Sequence, residues 1–369
     1  MSNSVNYDCA IIGGGVAGLC LSIQLARLGY SIIVFEKNSY PFHKVCGEYV
    51  SNESYPFFLR LGLPLDEWNL PRIQNIGISS EKGFQLNAPL KMGGFGISRF
   101  KLDYELLILA QAAGVTVKSN TRVNNIDNGI VQCNSGQFQS RLIVGAFGKS
   151  SPLFTEAIHK HADQNYIGVK YHLRTTFPNN RIELHNFTKG YCGISKIEGE
   201  HYCLCYLSHA SNLKASNNSI KEMEETVLKK NPLLRSIFNN SDFSFQRPVT
   251  ISNIKFEARK TADAKMLYLG DAAGCISPLT GNGMSMAAYT SVLLTDLIDE
   301  YLKNKLTKQQ LQNNYQTLWN QHFLKRIERG KKLQYLFGKR NWSDLVLRLL
   351  NPLGYLKTHL IESTHGEQF

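Results

Sequence analysis

The sequence lacks the cysteine spacings that build disulfide frameworks or zinc sites. Its eight cysteines are scattered along 369 residues, and none forms a CxxC pair or joins histidines at zinc-ligand spacing. We therefore predict reduced thiols in a cytoplasmic protein, and no metal site. Internal repeats and low-complexity tracts are also missing. The hydrophobic fraction of 43% and charged fraction of 19% are those of a folded chain rather than a disordered one.

Long hydrophobic runs of the kind that cross membranes are missing as well. Two stretches, 9–26 and 272–295, carry no charged residue, but glycines interrupt the first and Pro278 interrupts the second. Both are predicted to be buried turn-and-helix units rather than membrane spans. The N-terminus has no basic region ahead of its apolar segment, so we predict no signal peptide.

Acidic residues are scarce relative to basic ones, and the excess is uneven. The net charge is +12, and residues 301–369 hold twelve Lys/Arg against four Asp/Glu, which gives +8 for that segment. Such a segment fits either a solvated helical surface or an anionic partner. We expect no nucleic-acid partner. Peripheral contact of this segment with a membrane surface is the alternative to a solvated face.

The stretch from residue 7 to residue 37 has the order of a dinucleotide-binding unit. An apolar strand leads into Gly13-Gly14-Gly15-Val16-Ala17-Gly18, followed by a helix to about residue 28 and a second strand that ends at Glu36. The first glycine permits a tight turn, the third a close approach of backbone to a pyrophosphate, and the last the packing of helix on sheet. The alternative is an ordinary βαβ unit with a glycine-rich turn.

Glu36 narrows the choice of dinucleotide. Its carboxylate can accept hydrogen bonds from ribose hydroxyls, whereas a ribose carrying a 2′-phosphate favours arginine at this place. The unit therefore predicts NAD or FAD rather than NADP.

Two further segments in the first hundred residues are candidates for ligand contact. The loop from Pro41 to Gly47 contains a Cys-Gly pair ahead of a helix, so Cys46 is either a thiol with altered reactivity or a small buried hydrophobe. Arg99 precedes a helix predicted over about 102–113, where it could meet a phosphate or carboxylate.

The remaining pattern predicts a second sheet and a return to the first. Alternating segments between 166 and 249 indicate an antiparallel sheet. The run 265–274 resembles a buried parallel strand that ends at Gly270-Asp271, and the segment 278–284 follows ahead of a long helix to about residue 302. Asp271 could reach a sugar hydroxyl or cap a helix, and the turn at Gly281–Gly283 would aim backbone N–H groups at an anionic atom.

Taken together, three separated motifs resemble the flavoprotein superfamily of aromatic hydroxylases, geranylgeranyl reductases and flavin-dependent halogenases. The motifs are Gly13–Gly18 with Glu36, the run 270–274, and the run 278–284. The resemblance covers about residues 5–300 and implies FAD. It further implies an α/β fold: a Rossmann-like FAD-binding domain (1–75, 98–165 and 250–302), an interleaved antiparallel-sheet substrate domain (76–97 and 166–249) and a basic C-terminal helical segment (303–369).

The same resemblance implies roles for individual residues. Gly13, Gly15 and Gly18 would hold the pyrophosphate, Arg99 the phosphate–ribityl region, and Asp271 the ribityl or pyrophosphate side. Gly283 and Met284 would place N–H groups near the flavin's pyrimidine edge. The full set of predicted cofactor contacts is Gly13, Gly15, Val16, Ala17, Gly18, Glu36, Lys37, Cys46, Gly47, Arg99, Gly270, Asp271, Gly281, Gly283 and Met284.

The loop that ends in Cys46-Gly47 is most similar to the geranylgeranyl reductase branch, in which a Cys-Gly pair lies beside the flavin ring. The sequence departs from that branch at 190–195, where an aromatic motif is replaced, and its three tryptophans cannot form the halogenase Trp-x-Trp motif. Because the Cys46-Gly47 loop resembles that of the reductase branch, we predict an FAD-dependent oxidoreductase that reduces an alkene in a hydrophobic or lipid-like molecule. Cys46 and Tyr191 are the candidate catalytic residues, and NADH or NADPH the candidate electron donor.

Two alternatives remain open. One is a flavin-dependent monooxygenase that hydroxylates its substrate, although Phe147 stands where hydroxylases carry an acid. The other is a non-catalytic binder of prenylated or lipid partners on the same fold. Oligomeric state is not predicted.

Overall fold

The computed structural model describes residues 6–149, 165–254, 256, 258–277, 279, 281–336, 340–352, 362 and 366–369. The strands, in chain order, are β1 Asn6–Ile12, β2 Ile32–Phe35, β3 Tyr49–Ser51, β4 Arg72–Ser79, β5 Gln85–Gly96, β6 Thr116–Lys118, β7 Val123–Asp127, β8 Ile130–Cys133, β9 Gly136–Gly145, β10 Tyr166–Arg174, β11 Arg181–Phe187, β12 Gly190–Lys196, β13 Tyr202–His209, β14 Asp242–Phe243, β15 Val249–Ile254 and β16 Leu267–Tyr268.

The α-helices are α1 Val16–Arg27, α2 Tyr55–Leu61, α3 Arg99–Ala112, α4 Ala210–Ala215, α5 Ile220–Thr226, α6 Pro232–Asn239, α7 Gly283–Leu302, α8 Lys308–Trp319, α9 Lys325–Leu336 and α10 Arg340–Leu350. Short 3-10 turns precede α2 and follow β16, and a π-helical turn joins α8 to α9. Within the described parts of the chain, no helix is both long enough and apolar enough to span a membrane.

The first sheet has the order β6-β2-β1-β9-β8-β7, with β16 beside β9. Strand β1 runs parallel to both β2 and β9, with Ile11 opposite Val34 on one side and Val144 on the other. The apolar end of β1 and all of β2 are buried, as expected of parallel strands covered on both faces. Helices α1, α3 and α7 contribute Leu21, Leu106 and Leu294 to the same core. The carboxyl ends of these strands therefore open at one edge.

The second sheet has the order β14-β10-β13-β12-β11-β4-β5-β3, with β15 beside β10. Its neighbours pair antiparallel except for β11 and β4, which are parallel. Side chains alternate along β10: Val169 and Tyr171 join the core under α5 and α6, whereas Lys170 faces away from it. We call the face that carries Lys170 the front face, and it is turned toward the 43–48 loop.

The predicted fold class is confirmed: a Rossmann-like α/β unit, an antiparallel-type second sheet and a helical C-terminal segment. The domain ranges stay a prediction, and some of their borders cut through elements. The boundary at 75/76 lies inside β4, and β3 belongs to the second sheet. Residues 93–96 belong to β5, where the missing side chains of Gly94 and Gly96 allow the backbones of Val50 and Lys196 to approach closely. Parts of the predicted ranges, 1–5, 150–164, 353–361 and 363–365 among them, lie outside the described residues.

Helix α8 and the π-helical turn after it pack on the first domain through their apolar face, whereas Asp344 of α10 accepts from the Ser80 hydroxyl, which follows β4 of the second sheet, over 2.6 Å. Tyr315, Trp319 and Phe323 are buried in the main core, and the Tyr315 hydroxyl donates to the Tyr268 carbonyl over 2.9 Å. A Cβ at Gly274 would lie 2.6 Å from the Trp319 ring. This part of the segment thus belongs to the core, whereas Lys331 and Lys332 of α9 are exposed.

Candidate functional site

The turn between β1 and α1 is shaped as a phosphate cradle. Gly13 has φ +112°, and a Cβ there would be 2.6 Å from the Ala146 carbonyl carbon; one at Gly18 would overlap the Gly13 carbonyl oxygen. At Gly15, in contrast, the nearest atoms to an added Cβ are the side-chain nitrogens of Arg99 and Lys44, each at 3.4 Å. No side chain caps the described first turn of α1. Its N–H groups and two cations therefore converge on one open space.

The carboxylate of Glu36 lies directly beside this turn. Its Oε2 accepts from the Gly14 N–H over 3.0 Å, and its Oε1 accepts from the backbone and side chain of Asn38 over 3.0 and 2.9 Å. Glu36 is buried, whereas the next residue, Lys37, is exposed. The predicted ribose acceptor is thus placed at the strand end, and Lys37 points toward solvent beside it.

Two cations over the cradle share one buried acid. Arg99 donates to Asp103 through Nε and Nη2 over 2.8 and 2.7 Å, and Lys44 Nζ is 2.9 Å from the same carboxylate. Burial raises the pKa of Asp103, but Arg99 and Lys44 outweigh it and hold the pKa below its ordinary value. The sequence pointed to Arg99 and missed Lys44 and Asp103. The spacing of Arg99 and Asp103, four residues apart on α3, was the available signal.

The distant motif 270–284 meets the cradle in space. Gly270 has φ +61°, and a Cβ there would lie 3.0 Å from the Ala17 Cβ. Gly283 is the first residue of α7, whose described first turn has no side-chain cap, so its N–H groups are available to a ligand. Pro278 and Thr280 of this motif lie outside the described residues. Asp271 is half-buried and interacts electrostatically with Lys149.

Lys149 is a site residue that the sequence did not single out. Burial lowers the pKa of its ammonium, but Cys275, Asp271, Cys46 and Cys205 raise it by more, so the net pKa lies above the ordinary value. Lys149 thus interacts electrostatically with Asp271 of the distant motif and with Cys46. The one hint in the sequence is that Lys149 follows the carboxyl end of a predicted parallel strand, which is where ligands of such sheets bind.

The Cys46-Gly47 turn lies between α7 and the second sheet. Cys46 Sγ is 4.0 Å from Met284 Sδ. The Cys203 thiol donates to the Cys46 carbonyl over 3.2 Å, and the Ser195 hydroxyl donates to the Gly47 carbonyl over 3.4 Å. Cys46 and Met284, both predicted at the flavin, are thus neighbours in space, and the turn is tied to two strands of the front face.

Glu48, the residue after this turn, is fully buried in a charged cluster that the sequence did not reveal. Its carboxylate accepts from Lys170 Nζ, from His172 Nε2 over 2.6 Å and from the Arg99 backbone N–H over 2.7 Å. Burial raises the pKa of Glu48, yet Lys170 and His172 bring it below its ordinary value. The carboxylate is therefore held charged.

The same cluster groups possible metal ligands that no sequence spacing indicated. Atoms of Glu48, His172 and Cys203 lie within 4.8 Å of one another, and all three residues are buried. The Lys170 ammonium already contacts the carboxylate, and burial raises the pKa of the Cys203 thiol well above its ordinary value. A dication would have to displace the Lys170 ammonium and deprotonate the Cys203 thiol. This arrangement therefore favours an internal ion pair over a metal.

Tyr191 lies apart from the turn, in an apolar cluster on the front face. It is 4% exposed and packs with Tyr49, Leu207 and Cys275. Burial raises the pKa of its phenol well above the ordinary value. Gly281, with φ +68°, approaches the same cluster, because a Cβ there would be 2.8 Å from the Tyr49 ring. The predicted catalytic role of Tyr191 stays a prediction; its position is that of a packing residue.

These residues fit a flavin dinucleotide: a glycine cradle with two cations for the pyrophosphate, an acid for the ribose, and a helix N-terminus for the ring. When bound, FAD supplies the two-electron redox chemistry. The chain supplies the fixed N–H groups of α1 and α7, and the turn at Cys46 that separates this space from the second sheet.

Comparison with known proteins also indicates a dinucleotide-binding Rossmann domain and reveals relatives that match most of the chain. The family model described as NAD(P)-binding Rossmann-like domain matches residues 11–47. Conditioned medium factor receptor 1 of Dictyostelium discoideum is 26% identical over 86% of this chain and 68% of the relative. Digeranylgeranylglycerophospholipid reductase of Methanospirillum hungatei is 24% identical over 92% of this chain and 87% of the relative.

Solved structures share the whole architecture. A geranylgeranyl bacteriochlorophyll reductase-like protein from Thermoplasma acidophilum has a TM-score of 0.78 at 15% identity, covering 98% of this chain and 92% of that one. The flavin-dependent brominase Bmp2 has a TM-score of 0.77 at 17% identity, covering 95% and 94%. PqsL of Pseudomonas aeruginosa, a probable FAD-dependent monooxygenase, has a TM-score of 0.73 at 16% identity, covering 93% and 100%. The motifs, the relatives and the fold together identify the chain as an enzyme of the FAD-dependent oxidoreductase superfamily.

Proposed function

We propose that the protein reduces an alkene in a hydrophobic, lipid-like molecule, with FAD as its cofactor and NADH or NADPH as electron donor. The observation that carries the proposal is the position of the Cys46-Gly47 turn, which contacts Met284 at the start of α7 on one side and the front face on the other. Digeranylgeranylglycerophospholipid reductases, which match most of the chain, give the class of substrate.

The front face supports an apolar substrate at one end. Tyr49, Tyr191, Leu207 and Phe256 form an apolar cluster there, next to the residues that approach α7. An apolar molecule is bound chiefly by the surface it removes from water, and such sites are lined by aliphatic and aromatic side chains. The charged cluster around Glu48 lies on the same face, at Lys170 and His172 of β10.

The test uses reduced protein, so that it does not depend on the natural donor. Protein loaded with FAD and reduced by dithionite without oxygen is mixed with digeranylgeranylglycerophospholipid, and the lipid is analysed by mass spectrometry. We expect the gain of two hydrogen atoms per reduced double bond, and none with Gly15→Ala, whose added Cβ occupies the cradle. Fully FAD-loaded, reduced protein that leaves the lipid and shorter prenyl analogues unchanged would overturn alkene reduction.

The donor is tested separately by stopped-flow reduction of the bound FAD. Reduction by NADH and by NADPH is followed at the flavin absorbance, and the faster of the two identifies the donor. If neither reduces FAD while dithionite does, the nicotinamide part of the proposal fails and the cofactor assignment stands.

A monooxygenase is the second candidate, favoured by the structural similarity to PqsL. Oxygen-18 discriminates the two, since a hydroxylase places one atom of the gas in its product and an alkene reductase places none. A labelled product formed in the presence of reduced FAD and oxygen would replace the reductase proposal. A non-catalytic binder does not agree with the enzyme assignment.

We also propose a cytoplasmic protein whose C-terminal segment contacts membrane lipid, because a lipid-like substrate resides there. Lysines 331 and 332 are exposed on α9, and Leu345 and Leu349 of α10 are 53% and 60% exposed. Flotation with vesicles containing phosphatidylserine tests this. We expect binding that is lost in K331E/K332E and retained in K214E/K221E, a matched change on α4 and α5. Equal binding by both variants would contradict the proposal.

A further inference from the structure

The loop from Cys46 to Glu48 is fastened to the front face at three consecutive residues. Cys203 of β13 donates to the carbonyl of Cys46, and Ser195 of β12 donates to the carbonyl of Gly47. Lys170 and His172 of β10 both bind the Glu48 carboxylate. Three neighbouring strands thus hold three successive residues, and only at Glu48 are the ties charged, which makes them the strongest of the set.

Glu48 also reaches the other side of the site. Its Oε1 accepts from the backbone N–H of Arg99, the first residue of α3, and its own carbonyl accepts from Ile97 over 3.0 Å. The Arg99 side chain continues to Asp103 over the Gly15 cradle. One carboxylate therefore links a strand of the second sheet to the residue that carries a cation of the phosphate site.

The backbone conformation of Glu48 is unfavourable for this residue type, so the surrounding contacts must stabilise it. Glu48 has φ +56°, a left-handed conformation that glutamate seldom adopts. Asparagine or glycine would relieve the strain but could not span the distance to Lys170 and His172. The aromatic rings of His43 and Phe245, each 5.1 Å from the His172 ring, pack around the imidazole and fix its place.

We propose that Glu48 is a positioning residue: it holds the Cys46-Gly47 turn and the start of α3 at a fixed distance from the front face. The assignment rests on the proposed function only in taking this turn as the cofactor-facing one. Loss of Glu48 releases the turn, so the Cys46 thiol becomes more accessible and the cradle loses its preformed shape. Neither effect requires that the protein reduces alkenes.

The test is Glu48→Gln, read by two measurements that do not involve turnover. The first is the rate of iodoacetamide alkylation at Cys46 in the protein without FAD, assigned by peptide mass spectrometry. The second is the Kd for FAD from flavin fluorescence. We expect both to rise at least tenfold, because the amide cannot accept from Lys170, His172 and Arg99 together. Glu48→Asp keeps the charge on a shorter side chain. Its Cys46 alkylation rate and FAD Kd are expected to lie between those of wild type and those of Glu48→Gln.

Glu224→Gln is the matched control: Glu224 lies on α5, which packs on the face of β10 opposite to Lys170 and His172. The Glu224 carboxylate is buried and accepts from the hydroxyls of Tyr171 and Tyr206 over 2.9 and 2.8 Å, so its change perturbs β10 without touching the turn. We expect its Cys46 alkylation rate and FAD Kd to stay within twofold of wild type. If the Cys46 alkylation rate and the FAD Kd rise equally in Glu224→Gln and in Glu48→Gln, then Glu48 contributes only to general stability and the proposal is overturned.

His172→Phe is the second variant if Glu48→Gln does not fold. Phenylalanine keeps the packing on His43 and Phe245, and Lys170 still neutralises Glu48, but the contact to Oε2 is lost. We expect a rise of about threefold in the alkylation rate of folded protein. A rate within error of wild type in this variant, or in folded Glu48→Gln, would overturn the proposal. If Glu48→Gln alters the alkylation rate of Cys46 but FAD-loaded, reduced wild-type protein reduces no lipid, only the proposed function is overturned.

Discussion

The sulfur atoms of Cys46 and Met284 lie 4.0 Å apart, although 238 residues separate them in the chain. Cys46 ends the loop after the dinucleotide-binding unit, and Met284 begins α7. Their contact places the Cys46-Gly47 turn beside the start of α7. A flavin ring bound there would shield the thiol on one side.

FAD is therefore expected to protect Cys46 from alkylation. With saturating FAD, the rate at Cys46 should fall at least tenfold, because the ring covers a half-buried thiol. Cys133, which is also half-buried but lies on β8 in the outer hairpin of the first sheet, is the internal control, and its rate should not change. Equal protection of both cysteines, or of neither, would contradict the proposed placement of the ring.

Gly15 and Gly18 are expected to fail in different ways when replaced by alanine. Gly18→Ala drives a Cβ into the Gly13 carbonyl and should destabilise the fold by about 1–3 kcal/mol. Gly15→Ala finds only the two cations at 3.4 Å, so the free energy of unfolding should change by less than about 0.5 kcal/mol while the FAD Kd rises at least tenfold. Urea unfolding and FAD titration of both variants check the pair. Matching losses of stability would contradict the open cradle.

Asp103→Asn is expected to leave two cations without their shared partner. Breaking a buried ion pair by removing one member costs about 3 kcal/mol, and Asp103 is 2% exposed. The carboxyl has a lowered pKa in the folded protein, so its contribution is present above its ordinary pKa and is lost as the pH falls through the folded one. Urea unfolding at pH 7 should show the full loss. The difference from wild type should shrink in acid, and a difference that does not depend on pH would contradict the charge assignment.

His185 is expected to make the fold sensitive to mild acid. It is fully buried, with Nδ1 2.9 Å from the Ser79 hydroxyl, and burial together with Arg181 lowers its pKa to about 3. The Glu183 carboxylate, 3.3 Å from Nε2, favours the charged form but does not outweigh these effects. The unfolded chain takes up the proton near pH 6.5 and the folded one does not, so stability falls by up to ~1.4 kcal/mol per pH unit between about pH 6.5 and 3.

The measurement is urea unfolding of wild type and His185→Gln at pH 7 and pH 5. Wild type should lose about 2 kcal/mol more than the variant over this interval. Parallel losses would show that another group dominates in this range.

The local parts of the site could be predicted and the long-range ties could not. The turn at Gly13–Gly18 and the strand that ends at Glu36 follow from periodicity and glycine spacing within some thirty residues. The lysine and histidine that bind Glu48 lie 122 and 124 residues away. They alternate on a strand whose other face is apolar, so nothing in their spacing indicates a partner. Likewise the helices after residue 303 looked like a basic surface, because their charges are conspicuous and their buried aromatic residues are few.

Those buried aromatic residues have a practical consequence. Trp319 rests on Gly274, a few residues from Asp271, and Tyr315 binds the strand that leads to it. Cleavage by a protease in the connection between α7 and α8 would therefore remove a support of the flavin site as well as a basic surface. The yellow colour of the purified protein would then report on whether its C-terminal helices are intact, which makes absorbance a simple check on every preparation used for the lipid-binding measurements.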